Sequence, residues 1–111
     1  MECLFCKIID NEMSSYTLYE DEIVKVILDA YPDTDGHTLI IPKKHFDTYQ
    51  DLDYETLNHV FEVSKKIKDL LMKKLNAKAI TLLVNYGDSQ IIKHFHLHLL
   101  PNFKVAPASK K

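Results

Sequence analysis

Three histidines at alternate positions carry the strongest chemical signal in this 111-residue chain. They alternate with large apolar residues in the order His94, Phe95, His96, Leu97, His98, Leu99. Successive side chains of a β-strand point to opposite faces, so this order predicts a strand that begins near residue 91, with its apolar side chains in a core and its histidines on the other face. A half-buried strand that carries histidines by chance would explain the apolar positions but not the regular spacing of the histidines.

Such a row of imidazoles has two chemical interpretations. Same-face residues of a strand lie about 6.6 Å apart, so three side chains converge poorly on one tetrahedral metal ion, although two could share an ion with other ligands. The other interpretation is nucleophilic catalysis. An imidazole is mostly neutral at pH 7, and its unprotonated nitrogen can attack phosphorus while flanking imidazoles fix its tautomer and exchange protons.

The two cysteines of the chain form the segment Cys3-Leu4-Phe5-Cys6. Their spacing suits zinc binding, dithiol redox chemistry or a pair of free buried thiols, and a structural disulfide is not expected in a reducing compartment. The redox interpretation needs a thioredoxin-like βαβ context, which the flanking sequence does not predict. Zinc is favoured, and a closed site then needs two further ligands, most naturally histidines.

The remaining pattern predicts the elements that position these residues. Residues 3–11 have the apolar spacing of a short helix that docks on a sheet, and residues 54–75 form a long helix with Asp53 as its N-cap. Strands are expected at 16–20, 23–28, 37–41 and 79–85, ahead of the histidine strand. Five strands in hairpin-like order with two helices indicate an α+β fold with an antiparallel sheet.

The long helix carries more apolar positions than one buried stripe needs. Apolar residues repeat at three and four positions, and Val63 and Leu70 widen the stripe. The predicted buried face consists of Leu57, Val60, Phe61, Ser64, Ile67, Leu71 and Leu75. The additional apolar surface predicts a two-fold homodimer. His59, on the same helix, is interpreted as an ordinary surface or interface histidine.

Composition limits the class of protein. Apolar residues make up 46% of the chain and charged residues 27%, with a formal net charge of −2, so the chain has no basic footprint for nucleic acid or a membrane surface. No apolar run is as long as a membrane span and no signal peptide is recognisable, so a cytoplasmic location is expected. The length predicts one domain over residues 1–101 and a polar, mobile tail at 102–111.

The histidine segment fits the pattern His-φ-His-φ-His-φ-φ, where φ is apolar, and resembles the signature of the histidine-triad (HIT) family of nucleotide hydrolases and transferases. Further fragments resemble that family in the same order: Cys3 to Ile9, Asp29-Ala30-Tyr31-Pro32, Gly36 to His45, and the segment with Asn85, Gly87 and Gln90. The resemblance covers residues 3–101. It implies a HIT-like fold and a dimer that pairs across the long helix and the fourth strand into a continuous sheet.

The resemblance also implies roles for individual residues. His96 is the expected nucleophile, with His98 and His37 as catalytic partners, and Asp29 is expected to bind the ribose hydroxyls. His98, Asn85 and Gln90 are expected to face the α-phosphate. The implied nucleotide-binding set is Ile27, Leu28, Asp29, Asn85, Gln90, Ile91, Ile92, His96 and His98. The implied ligands of a structural zinc ion are Cys3, Cys6, His45 and His94.

The resemblance implies an enzyme that attacks the α-phosphate of nucleoside phosphoramidates or related purine nucleotide conjugates and forms a covalent nucleotidyl-histidine. Three alternatives stay open: hydrolysis of dinucleoside polyphosphates, purine-nucleotide binding with little turnover in a regulatory protein, and a zinc module in which the histidines serve only metal. No carboxylate cluster for Mg²⁺ is evident near the histidines, so the chemical step is expected to need no metal.

Overall fold

A computed structural model describes residues 3–104 of the chain. Two helices, α1 (Leu4–Ile9) and α2 (Tyr54–Leu75), accompany the strands β1 (Thr17–Glu20), β2 (Val24–Leu28), β3 (Thr38–Pro42), β4 (Ala79–Leu83) and β5 (Leu97–Asn102). Single 3₁₀ turns lie at Tyr49–Asp51 and Gly87–Ser89. The predicted α+β class, with one short and one long helix, is confirmed. Neither helix of this region is long and apolar enough to span a membrane.

The strands form one antiparallel sheet in the order β1-β2-β3-β5-β4. The predicted hairpin order holds for the first three strands, whereas α2 carries the chain to β4 at the far edge before β5 returns between β3 and β4. His98 in β5 lies opposite Leu39 of β3 and Leu83 of β4. The last histidine of the row therefore stands inside the sheet, with a paired strand on each side.

Two apolar cores lie on opposite faces of this sheet. On one face α2 packs its buried side chains against Val26, Ile40 and other strand residues. On the other face α1 packs Phe5 against Ile27 and Leu39. The separation follows from strand geometry, because neighbouring residues of one strand point to opposite faces. The histidine row stands on the α1 face, since the alternate apolar residues of its segment belong to the α2 core.

The histidine strand begins later than predicted. β5 starts at Leu97, and residues 91–96 have no strand pairing. The backbone N–H of Phe95 instead donates to the carbonyl oxygen of Phe46 at 2.7 Å, so a loop carbonyl takes the place of a strand partner. The predicted alternation nevertheless holds, because Phe95, Leu97 and Leu99 are at most 2% exposed.

Other predicted boundaries differ by one or two residues. β3 includes Pro42, which was predicted to stop it, because a proline at the end of a strand removes only a terminal donor. β4 ends at Leu83 rather than at Asn85. Asn102, predicted to begin the tail, is the last residue of β5. Residues 105–111 of that predicted tail lie outside the described residues.

Helix α2 has the predicted bounds, and the Asp53 side chain accepts the N–H of Thr56 at 2.7 Å, which confirms the N-cap. Its buried face is turned relative to the prediction: Leu57 is half-buried and Phe61 is 39% exposed, while Val63 is buried. The buried residues are Thr56, Val60, Val63, Ser64, Ile67 and Leu71. Leu57 and Phe61 consequently contribute to the outer surface of the fold.

His59, predicted to be an ordinary surface or interface histidine, is half-buried and has a charged partner. Its Nε2 atom lies 2.6 Å from Oδ2 of Asp21, in the turn between β1 and β2. The Asp21 carboxylate also accepts the hydroxyl of Tyr19 and the backbone N–H groups of Ile23 and Val24, each at 2.8 Å. Burial would raise the pKa of Asp21, but these hydrogen bonds outweigh it and hold the pKa well below its usual range. The carboxylate thus links the turn to α2.

Candidate active site and metal centre

The tautomer of His96 follows from one hydrogen bond. Its Nδ1 atom lies 2.9 Å from the carbonyl oxygen of His94, which can only accept, so Nδ1 carries the proton and Nε2 keeps a lone pair. His96 is 9% exposed, and burial lowers its pKa, so the ring is neutral near pH 7. The edge of the Phe5 ring packs against it, with 4.9 Å between ring centroids. The geometry therefore presents a fixed, unprotonated nitrogen.

A second chain of hydrogen bonds orients His98. The backbone N–H of Asp33 donates to Nδ1 of His37 at 3.1 Å, so Nε2 of the neutral His37 ring carries the proton. That Nε2–H lies 2.9 Å from Nδ1 of His98, which must accept it. The proton of His98 is then on Nε2, a buried atom without a hydrogen-bond partner in the described residues. Burial, with help from the neighbouring His96 and His37, lowers the pKa of His98 to about 4.

Asp29 follows the last residue of β2 and holds its carboxylate beside this pair. Its Oδ1 atom accepts the backbone N–H of Tyr31 at 2.9 Å, and Oδ2 lies 3.6 Å from Nε2 of His37. Its own N–H donates to the carbonyl of His37 at 2.9 Å. These contacts fix an ionisable group next to the histidines while leaving most of its acceptor sites free.

A cavity of about 540 Å³ opens beside His96 and His98. Eight of the nine predicted nucleotide-binding residues line it: Ile27, Leu28, Asp29, Asn85, Ile91, Ile92, His96 and His98. Apolar side chains dominate its wall and a few polar groups complete it, which is the usual character of a small-molecule site. The volume and the mixed lining suit a small molecule with both apolar and polar parts.

The four predicted zinc ligands form a second cluster on the same face. Cys3, Cys6, His45 and His94 each offer one ligand atom, and these atoms lie within 4.8 Å of one another. The four sulfur-to-Nδ1 distances are 3.2, 3.4, 3.5 and 3.5 Å. A tetrahedral zinc site with ordinary Zn–S and Zn–N bonds has sulfur-to-nitrogen edges of about 3.6 Å. The residues present fit a zinc ion.

The outer hydrogen bonds of this cluster also favour a metal. Nε2 of His94 lies 2.8 Å from the carbonyl oxygen of Pro42, and Nε2 of His45 lies 2.7 Å from Oδ1 of Asp47. Both Nε2 atoms therefore donate, and both Nδ1 lone pairs point at the sulfurs, as in zinc sites with carbonyl or carboxylate partners. Burial raises the pKa of the Cys6 thiol to about 11, and a bound cation would offset this by stabilising the thiolate.

Asp29, His37 and His98 form another group whose donor atoms lie within 4.8 Å. Unlike those of the zinc cluster, the hydrogen bonds of this group disfavour a metal ion. Nδ1 of His37 is held by the N–H of Asp33, so its Nε2 carries a proton rather than the lone pair that a metal requires. This group favours proton transfer over metal binding.

A family model described as HIT domain matches residues 10–105, most of the chain. The chain belongs to the HIT family. Curated relatives agree: an uncharacterized HIT-like protein of Borreliella burgdorferi is 40% identical over 108 residues, which is 93% of this chain and 77% of that protein. Adenylylsulfatase HINT3 of Arabidopsis thaliana is 36% identical over 102 residues, 90% of this chain and 52% of that protein.

Solved structures of HIT proteins share the fold. A hypothetical histidine triad nucleotide-binding protein from Sulfolobus tokodaii is 41% identical with a TM-score of 0.89, covering 98% of this chain and 75% of that one. A Zn-bound histidine triad family protein from Mycobacterium smegmatis is 35% identical with a TM-score of 0.86, covering 92% and 76%. A HIT family hydrolase from Legionella pneumophila is 30% identical with a TM-score of 0.79, covering 96% and 98%.

One residue of the predicted nucleotide-binding set, Gln90, is absent from the cavity lining. Gln90 is 3% exposed, and its Nε2 donates to the carbonyls of Asp47 at 2.7 Å and Ile92 at 3.0 Å. Both amide hydrogens are therefore used to brace the loop before the histidine row. Gln90 supports the shape of this loop instead of facing the cavity.

Sequence reasoning also missed part of the cavity wall. α1 was interpreted as a docking helix, yet it contributes Leu4, Phe5 and Ile8 to the lining, and the following loop contributes Ser14, Ser15 and Tyr16. The apolar spacing of residues 3–11 could not distinguish these two roles, because one face of α1 serves both the core and the cavity.

Proposed function

We propose that this HIT protein hydrolyses nucleoside phosphoramidates or related purine nucleotide conjugates through a covalent intermediate on His96. The observation that carries the proposal is the hydrogen bond from His96 to the carbonyl of His94, which leaves the His96 Nε2 lone pair unused beside the cavity. His98, which also lines the cavity, adds an Nε2–H without a hydrogen-bond partner in the described residues. A fixed nucleophile and a fixed donor are what in-line displacement at phosphorus requires.

In the first step, the Nε2 lone pair of His96 forms a bond to the α-phosphorus while the bond to the leaving nitrogen breaks. The electron pair of the broken bond stays on that nitrogen, which needs a proton. The bound phosphate anion raises the pKa of His98 by charge attraction, so His98 holds a second proton from water and passes its Nε2 proton to the leaving amine. Asp29 Oδ2, 3.6 Å from His37 Nε2, then accepts the His37 N–H.

In the second step, water attacks the nucleotidyl-His96. Its proton moves to Nε2 of His98, the phosphorus–nitrogen bond breaks, and the electron pair returns to Nε2 of His96. His98 thus acts first as an acid and then as a base, and the products are the amine and a nucleoside monophosphate. Water must reach the phosphorus only after the amine has left, through the space that the amine vacates in the cavity.

The cavity wall supports a purine nucleoside as the bound part. Ile27, Leu28 and Ile92 offer apolar surface for a base, and the Asp29 carboxylate can accept two ribose hydroxyls. Asn85 also lines the cavity and can donate to a phosphate oxygen. Ile91, 85% exposed at the rim, is assigned to the leaving group.

The charge of the lining favours conjugates with one phosphate. Among the described residues, the lining of the cavity includes no lysine and no arginine. The further negative charges of a dinucleoside polyphosphate would therefore lack cationic partners in this region, whereas an amine leaving group needs none. Hydrolysis of dinucleoside polyphosphates is therefore the second candidate function.

Zinc and dimerisation complete the proposal. A closed site of two thiolates and two imidazoles leaves no open position for substrate, so its role is structural. It would hold the N-terminal segment against the sheet through Cys3, Cys6, His45 and His94. A homodimer through α2 and β4 is proposed from the apolar surface that these two elements expose.

The test is a substrate panel with detection of adenosine monophosphate by chromatography. Adenosine 5′-phosphoramidate, adenylyl sulfate and diadenosine triphosphate are compared by kcat/KM, adenylyl sulfate being included because a relative is named adenylylsulfatase. The first is expected to exceed the last by at least about tenfold, a difference of roughly 1.4 kcal/mol in transition-state binding. Release of adenosine monophosphate from none of the three would contradict the proposed function.

A further inference from the structure

We propose that α1 couples the zinc cluster to the nucleotide cavity, with Phe5 as the positioning residue for His96. This inference rests on the proposed function for the identity of the two ligands. The two sites share no ligating residue, but both are built on the same short helix.

Within this N-terminal segment, different residues serve the two sites. Cys3 and Cys6 belong to the metal cluster, whereas Leu4, Phe5 and Ile8 line the cavity. α1 has only six residues, and a helix of that length is not stable alone. Its position must come from its anchors, so anything that fixes one end of α1 also sets the cavity wall.

The C-terminal end of α1 has its own anchor within the protein. Lys25, 3% exposed on β2, donates from Nζ to the carbonyl of Ile8 at 3.1 Å and to Oδ1 of Asn11 at 3.3 Å. The N-terminal end is held by the packing of Phe5 in the core, while the Cys6 N–H donates to the Cys3 sulfur at 3.2 Å within the same segment. A metal ion bound by Cys3 and Cys6 together with His45 and His94 would add a second tie between this end and the rest of the protein.

Two contacts link the N-terminal end of α1 and the zinc cluster to the His96 ring. The Phe5 ring packs edge-on against His96 at 4.9 Å and against His94 at 6.0 Å between ring centroids. The carbonyl of His94, the residue whose Nδ1 faces the metal, accepts the Nδ1–H of His96 at 2.9 Å. Fixing Cys3 and His94 on one ion would therefore restrain two of the groups that contact the His96 ring, the Phe5 ring and the His94 carbonyl; the third, the His98 ring, lies 4.7 Å away between centroids.

Linkage makes this coupling measurable from either side. If zinc tightens nucleotide binding by some factor, nucleotide tightens zinc binding by the same factor. Adenosine monophosphate is a suitable probe, because it is a product and is not consumed. Its Kd is measured by calorimetry for zinc-loaded and zinc-stripped protein, and the zinc Kd is measured by chelator competition with and without adenosine monophosphate. Both ratios are expected to agree and to be about fivefold or more.

A pair of matched variants separates the coupling from overall stability. Phe5→Leu keeps an apolar side chain and all four zinc ligands but removes the ring edge from both histidines. Phe103→Leu makes the same change at an exposed residue after β5, outside the cavity lining and the zinc cluster. Phe5→Leu is expected to reduce the linkage ratio at least threefold with zinc still bound, and Phe103→Leu is expected to leave it unchanged.

A nucleotide-free measurement keeps the inference independent of the proposed function. Imidazole ¹⁵N spectra at pH 8 report the tautomer of His96, which is expected to be Nδ1–H with zinc and a mixture without it. An identical His96 spectrum in both metal states would overturn the inference, as would a linkage ratio of one. If adenosine monophosphate binds neither form, the proposed function fails, and the spectrum alone decides the coupling.

Discussion

The Nε2 atom of His37 lies 2.9 Å from the Nδ1 atom of His98. Because the N–H of Asp33 occupies the other nitrogen of His37, the direction of this hydrogen bond is determined, and the proton of His98 must face away from His37. Neither residue could be assigned this role from sequence spacing, since 61 positions separate them. The relationship places the proton of His98 on Nε2, the ring nitrogen that faces away from His37 and has no hydrogen-bond partner in the described residues.

His98→Ala should reduce turnover of an alkyl phosphoramidate by about 10²- to 10⁴-fold, as expected for the loss of a general acid and base. The same variant should lose much less activity on a nucleoside monophosphate ester with a nitrophenolate leaving group, which departs without a proton. Steady-state kinetics on both substrates gives the comparison. Equal losses on both would show that His98 serves binding or shape rather than proton transfer.

Removal of zinc should lower the melting temperature clearly, because a closed four-ligand site contributes its binding free energy to folding. Wild-type protein should contain one zinc ion per chain, and Cys6→Ala should contain much less. Adding zinc to chelator-treated protein should restore the melting temperature of the wild type but not that of the variant. A wild-type melting curve that is the same with and without chelator would count against the structural role.

The Asp21 carboxylate should make stability depend on pH. Its pKa is lowered in the folded state, so its contribution is full well above about pH 3.9, the usual value for an aspartate, and is lost as the pH falls toward the folded pKa. Asp21→Asn should lower the free energy of unfolding at pH 7 by about 1–3 kcal/mol, and the difference should shrink near pH 3. Urea denaturation at both pH values measures this.

Asp69→Asn is the matched control for that experiment. Asp69 lies on α2 with its side chain 74% exposed and pairs only with Lys68 at the surface. Exposed ion pairs contribute little, so this variant should be nearly neutral at both pH values. An equal effect of the two substitutions would mean that the network of Asp21 with His59 and Tyr19 adds nothing to stability.

The protein should be a homodimer at micromolar concentration. Leu82, Leu83 and Val84 are 44, 37 and 38% exposed at the edge of the sheet, and Phe61 of α2 lies in an apolar groove that also includes Val84. An exposed edge strand with apolar residues is prone to pairing. Light scattering should give twice the monomer mass, and Leu82→Glu should shift the protein to the monomer. A wild-type monomer would contradict the prediction.

The sequence pattern predicted the sheet, the long helix and the alternation around the histidines because these follow from periodicity. It misplaced the start of β5, since the hydrogen bond of Phe95 to Phe46 depends on a loop 49 positions earlier in the chain. The turned face of α2 was missed for a similar reason: Leu57, Phe61 and Val63 are all apolar, and only the packed sheet selects which one is buried.

The sequence indicated which residues form the candidate site but not which contacts each of them makes. The family resemblance nominated Gln90 for the phosphate, but it could not reveal that the carbonyls of Asp47 and Ile92 already accept both of its amide hydrogens. The cavity wall from α1 and the partnership of His59 with Asp21 likewise depend on contacts between distant segments. Such contacts join segments that are far apart in the sequence, so no local periodic pattern indicates them.

The central claim is that His96 is the nucleophile, and trapping the intermediate tests it most directly. Protein mixed with an adenosine phosphoramidate is quenched in the first turnovers and digested, and the peptide with residues 94–98 is sequenced by mass spectrometry. We expect an adenylyl group on His96, no adduct in His96→Ala with turnover reduced by several orders of magnitude, and normal adduct in His59→Gln. An adduct on His94 or His98, or normal turnover by His96→Ala, would contradict the account.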